Sequence, residues 1–274
     1  MVKLHDTHGI IFDLAVLTPL VYLLDRLVAR KYFAKSPWFA LHTMINAIVV
    51  LTALPDFLLF FVQPMELITR DEIHSRIPFL MNFVVHIYHI VSYFNDLDWL
   101  DWLHHCVMTL IMSPIVFLVD PGPVLNFNHM FILGFPGMLD YAMLVMVKYQ
   151  KIKSITEKRF NTILNIWIRC GGILFTCCIS WLRLDYIRSK RGSIEIYEVC
   201  TTIVIMILLY WNGIYFMNRV TQNYAIRRYQ ERLKKDDNLH PSNTDQMIQF
   251  NNTEPEPMRA VPNNFFDESA SLST

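Results

Sequence analysis

The sequence lacks a charge excess of either sign, since 24 Lys and Arg balance 24 Asp and Glu across 274 residues. A strongly basic footprint for nucleic acid is therefore absent, and nucleic acid is excluded as a partner. The chain also lacks C-x-x-C pairs. Its five cysteines, Cys106, Cys170, Cys177, Cys178 and Cys200, all lie inside apolar stretches. That excludes a cysteine zinc site or a disulfide frame and reads as reduced, buried thiols. The N-terminus shows no short apolar core followed by a small-residue cleavage site, so the first apolar run is expected to be retained. No repeat of roughly 20–50 residues is present.

What the chain does have is apolar length. Hydrophobic residues make up 53% of it, aromatics 14%, and the charges fall in clumps between long apolar runs. A helix needs about 20 apolar residues to cross a bilayer. Seven stretches qualify, near residues 9–29, 38–62, 77–94, 100–119, 127–147, 162–183 and 196–218. The expected fold class is an all-α, polytopic transmembrane helical bundle of about seven spans. Its expected organisation is a first span with a basic loop (1–36), a membrane domain (37–225) and a tail (226–274). Beyond about residue 236 apolar residues are too sparse to bury a core, which predicts disorder.

Lys and Arg near span ends set orientation. Arg26, Arg30, Lys31 and Lys35 follow the first span, Lys148, Lys151, Lys153, Lys158 and Arg159 the fifth, and Arg219 to Lys235 the seventh. Those segments share one side, expected to be the cytosol, with the N-terminus lumenal. Arg183, Arg188, Lys190 and Arg191 dissent from the opposite side.

Ionisable residues inside a span are costly, so they are functional candidates. At ~1.5 Å per residue from the cytosolic boundary, His104 and His105 lie ~6–8 Å deep, His86 and His89 ~8–13 Å, Asp140 and Arg169 ~10–12 Å, and Asn212 ~9 Å, with His42 level with the His pair. The outer half holds only Asp13, Asp56 and His129 as comparable intrusions. A shared depth is what a polar cavity requires. The plainer readings are an interfacial His42, packing roles for His86 and His89, and a simple Asp140–Arg169 ion pair. An imidazole can act as general base on an amine or hydroxyl, and a carboxylate can orient it. His104, His105 and Asp140 are thus the candidate catalytic residues, with His42, His86, His89, Arg169 and Asn212 as candidate substrate-binding residues. Adjacent residues point ~100° apart on a helix, so His104 and His105 are not expected to share a metal, and no metal or other cofactor is expected. The di-iron histidine boxes of membrane desaturases are incomplete here, and "VVHIYHI" lacks the last histidine of the elongase box.

The order of "ALHTMINAIVVL", the tyrosine-rich "HIYHIVSYF", the acidic turn "DLDWLDWLHH" and a helix bearing Asp140 resembles the TLC-domain family, over about residues 37–225. The resemblance implies a multi-span endoplasmic-reticulum protein concerned with lipids. Enzymatic members include ceramide synthases, which use acyl-CoA as co-substrate to acylate a lipid amine, with the paired histidines in the active site. The signature L-H-D-x-S-D is broken, since "ILGFPGMLDY" supplies only its last aspartate as Asp140. The resemblance therefore implies the broader lipid-handling group, with the acyltransferase as the alternative. Partners left open are membrane lipids and a second copy of the chain. The tail segment Phe265-Phe266-Asp267, following Glu254 and Glu256, resembles the motif that docks on VAMP-associated proteins.

Overall fold

The computed structural model describes residues 1–97, 99–119 and 121–239. Asp98, Asp120 and residues 240–274 lie outside the described residues, as do the side chains of Asp96 and Asp101. The docking segment Phe265-Phe266-Asp267 and the sequon at Asn251 therefore lie outside them too. The chain divides into two units, Met1–Ala225 and Ile226–Thr274, and every candidate site residue falls in the first.

Among the described residues the protein is all-α, with one isolated antiparallel bridge between Val2 and Ile73. Helices form on all seven apolar stretches. They are α1 (residues 7–32), α2 (Pro37–Val62), the short α3 (Pro64–Thr69), α4 (Ile77–Ser92), α5 (residues 99–116), α6 (Val124–Lys148), α7 (Ser154–Arg191) and α8 (Ile196–Leu239). Four of them, α2, α6, α7 and α8, are long and apolar enough to cross a membrane, while α4 and the apolar part of α5 are shorter. Helix α8 runs well past residue 218 and through residues assigned from sequence to the tail, to Leu239.

Prolines mark several starts, at Pro37, Pro64 and Pro78, where the missing N–H falls among groups that have no helical partner anyway. At the other end of α7, Gly192 adopts φ 76° and its N–H returns to the Arg188 carbonyl at 2.9 Å, closing the helix with a left-handed cap. Wide π-type turns interrupt α1 at Leu24–Ala29, α5 at Val107–Met112, α6 at Met130–Gly134 and α7 at Leu164–Cys170. Each re-aims the polar residues beside it.

Helix α2 is the central post, packing on α1, α4 and α6. Its buried face, Leu41, Ile45 and Val49, meets Val21 of α1 and Leu80, Met81 and Val84 of α4. A second cluster joins α5, α7 and α8 through Met112, Ile173, Cys177 and Leu209. Large apolar side chains such as Leu51, Phe61, Leu110, Trp167, Leu182 and Ile207 point outward instead. On helices long enough to cross a bilayer, such outward faces fit hydrocarbon as the solvent.

The end of the bundle holding the α3–α4 loop is sealed by ions. Arg76 donates to Asp13 at 2.9 Å and to Asp6 at 3.0 Å. Buried Asp56 pairs with Arg70 and accepts from the His74 N–H at 2.8 Å and the Asn126 amide at 2.7 Å. Arg183, only 2% exposed, donates to the carbonyls of Ile68 and Arg70 at 2.7 and 2.9 Å. Lys190 bonds Asp71 and Arg191 bonds Glu198. The dissenting basic group thus has a structural explanation: its charges are committed to neighbours on the same surface.

Candidate functional site

The polar residues of the other half come together. His42 from α2 lies between two neighbours, its ring 4.5 Å from that of His89 and stacked at 4.3 Å on Tyr141. His89 in turn stacks on Trp38 at 3.9 Å and meets His105 at 5.3 Å. His86, one turn along α4, has its ring 5.2 Å from His104 and 5.0 Å from His105. Its Nδ1–H donates to the Asn82 carbonyl at 2.6 Å, and its Nε2 faces His104 Nε2 at 3.2 Å. Five imidazoles from three helices therefore form one continuous layer. His86 and His89 face the same way because they are three residues apart on α4. His104 and His105 straddle His86, and so both reach it despite diverging on α5.

Asp140 and Arg169 occupy the same region from α6 and α7. Glycine makes the approach possible: a Cβ at Gly137 would stand 2.6 Å from the Asn46 amide and 4.0 Å from an Arg169 nitrogen. Among the described residues the Asp140 carboxylate and the Arg169 guanidinium make no ion pair at contact distance. The simple ion-pair reading is therefore set aside. Arg169 is held from behind, donating to Asn165 Oδ1 at 2.6 Å. Asn165 donates to Asn161 Oδ1 at 2.5 Å, and Asn161 to Glu157 Oε1 at 3.3 Å. Glu157, Asn161, Asn165 and Arg169 are four apart, so they stack along one face of α7 as a polar ladder, with the first three 3% exposed or less. The first three rungs were missed from sequence, although a polar residue at every fourth position of an apolar helix was a visible signal.

Asn212 is the exception among the candidates. Its neighbours on α8 reach the site, Phe216 against His104 at 5.8 Å and Gly213 against Cys170. Asn212 itself makes no hydrogen bond to the layer among the described residues.

In the other half of the bundle the buried ionisable residues are satisfied. Asp13 and Asp56 are paired as above, and His129 donates its Nδ1–H to the Leu125 carbonyl at 2.7 Å. In the histidine layer, His42 Nε2, both nitrogens of His89, His105 Nδ1, Asp140 Oδ1 and Arg169 Nε are buried without partners. Buried polar atoms are nearly always hydrogen-bonded, because leaving one unmade costs ~1–3 kcal/mol. A set of them drawn from five helices marks a place built to receive something polar.

Next to this layer, one turn along α4 and α5, lies a small apolar crevice lined by Phe79, Asn82, Met108, Ile132, Thr176 and Leu209 among others. A second crevice shares Val119, Val124, Ser180 and Ile205 with it and extends to Arg183 and Glu198. A polar layer beside an apolar slot is suited to an amphiphile.

Compared with protein-family models, curated proteins and solved structures, the chain matches none of them.

Proposed function

We propose that this chain is a multi-span membrane protein that binds and handles a membrane lipid, with the head group at the histidine layer and the acyl chain in the adjoining crevice. The observation that carries the reading is the set of unpartnered polar atoms on His42, His89, His105, Asp140 and Arg169, one helical turn from an apolar slot. Asp140 and Arg169, which make no ion pair with each other among the described residues, offer an anion and a cation to a charged head group. All seven apolar helices would span the membrane in this reading, with the N-terminus lumenal and the C-terminus cytosolic. The basic segments after the first, fifth and seventh stretches support that orientation. The sequence resemblance to the TLC-domain family points to the endoplasmic reticulum.

The test is lipid mass spectrometry on the purified chain, wild type against His104→Ala plus His105→Ala, with expression matched. One lipid class should be enriched over the bulk membrane in the wild type and lost in the double variant. Equal lipid content in both would refute the reading.

A second reading, acyl transfer from acyl-CoA to a lipid amine or alcohol, is favoured by the gathering of two adjacent histidines with a carboxylate at lipid depth. His104 or His105 would take the proton from the attacking amine or hydroxyl as it bonds to the acyl carbon and the thiolate of CoA leaves. Purified protein that transfers no acyl group to any such lipid would leave the binding reading alone standing.

A further inference from the structure

His86, His104 and His105 each place one ring nitrogen so that all three lie within 4.8 Å of one another. His86 Nε2 and His104 Nε2 are 3.2 Å apart. Two imidazole nitrogens bound to one tetrahedral zinc ion at ~2.05 Å would stand ~3.3 Å apart, so this pair already has the separation of two ligands. The Nδ1–H of His86 is committed to the Asn82 carbonyl, which leaves the Nε2 lone pair as the atom directed at His104. A ring N–H held by a backbone carbonyl is how protein metal sites fix the tautomer and direction of a ligating histidine. The third member, His105, is buried and has its Nδ1 without a partner.

We propose that His86, His104 and His105 bind one divalent transition-metal ion of the zinc class. The donor set decides the class, since three neutral imidazoles without a carboxylate suit zinc, copper or nickel and do not suit calcium or magnesium. Three protein ligands leave a fourth position of a tetrahedral ion for water or another ligand. Two of the ligands are adjacent in the chain, yet both are usable. The ion sits against α4, between the directions in which His104 and His105 diverge, and it needs only one nitrogen from each. Metal binding goes beyond lipid handling and does not depend on it: the three ligands stand whether or not the crevice is filled.

The full chain, purified in detergent through a tag containing no histidine, is dialysed with a weak chelator and assayed for metal by mass spectrometry. The same protein, stripped and titrated with Co²⁺, is followed by visible absorption. About one zinc per chain and visible Co²⁺ bands of four-coordinate type are expected for wild type. His86→Gln and His104→Gln should lower retained zinc at least ~10-fold, as loss of one of three ligands does, while His129→Gln, outside the cluster, should keep it. Size-exclusion profiles check that the variants fold, and the wild-type Co²⁺ spectrum decides the matter even if they do not. Wild type that retains no zinc and gives no Co²⁺ bands overturns the proposal, as does zinc retained equally by wild type, His86→Gln and His104→Gln.

Discussion

The hydroxyl of Tyr88 on α4 donates to the Asp25 carboxylate on α1 at 2.7 Å, across 63 residues of sequence. Asp25 is fully buried, and it also accepts from Tyr93 at 3.0 Å and from Arg30 at 2.8 Å. This three-donor clamp fixes the first helix against the wall that carries His86 and His89. Tyr88→Phe removes one donor from a buried charge without changing the ring, so it should cost about 1.5–3 kcal/mol. Thermal unfolding in detergent measures it, and an unchanged midpoint would show that Asp25 does not depend on this donor.

The α7 ladder sets the position of Arg169. Asn165→Leu removes the acceptor behind the guanidinium and the donor to Asn161, and should cost about 1–3 kcal/mol through the partners left unsatisfied. The variant should also lose bound lipid to the same extent as the His104→Ala plus His105→Ala protein. A variant that is destabilised but keeps its lipid would separate Arg169 from the binding site.

Ser180 borders both crevices, and neither is lined by His86, His104 or His105. Ser180→Phe should fill part of the slot and cut co-purified lipid several-fold while leaving retained zinc unchanged, a split that mass spectrometry reads on one sample. Loss of both together would mean that the substitution had disturbed the bundle.

Helices α6 and α7 meet closely at Gly172, where a Cβ would stand 2.2 Å from the Phe131 ring. Gly172→Ala must push α7 from α6 and should lower stability by about 1–3 kcal/mol, again seen in the unfolding midpoint.

At the loop end, Lys190 beside Asp71 holds that carboxyl below its ordinary 3.8. A carboxylate whose folded value is depressed stabilises the protein above its unfolded value and loses that contribution as pH falls through the folded one. The difference in unfolding midpoint between wild type and Asp71→Asn should therefore be full at neutral pH and shrink as pH falls through the depressed folded value. A difference that does not change with pH would assign the effect to something other than the ion pair.

Much of this was legible in the chain. Apolar length located the seven helices, and depth counted from the basic loops grouped His42, His86, His89, His104, His105, Asp140 and Arg169 before any contact was known. Depth alone gives no lateral order, which is why Asn212, at the same level, was grouped with residues it does not join. The same gap hid the metal geometry. Two adjacent histidines diverge on their own helix, and only the arrival of His86 between them, from another helix, makes them a set. Asp25 was hidden for a different reason: beside Arg26 it looked like part of a solvated basic loop, and its burial depends on Tyr88 and Tyr93, more than 60 residues away.

The ladder on α7 has a direction. An arginine can only donate, and an ionised glutamate can only accept, so the two amides between Arg169 and Glu157 have one orientation available to them. Each turns its oxygen toward the arginine and its nitrogen toward the glutamate. The ladder does not neutralise the arginine, because Glu157 at its far end is itself paired with Lys158 at 3.2 Å. Among the described residues Arg169 has no ion pair of its own, so an incoming anionic group would supply the counter-charge that the ladder only passes over.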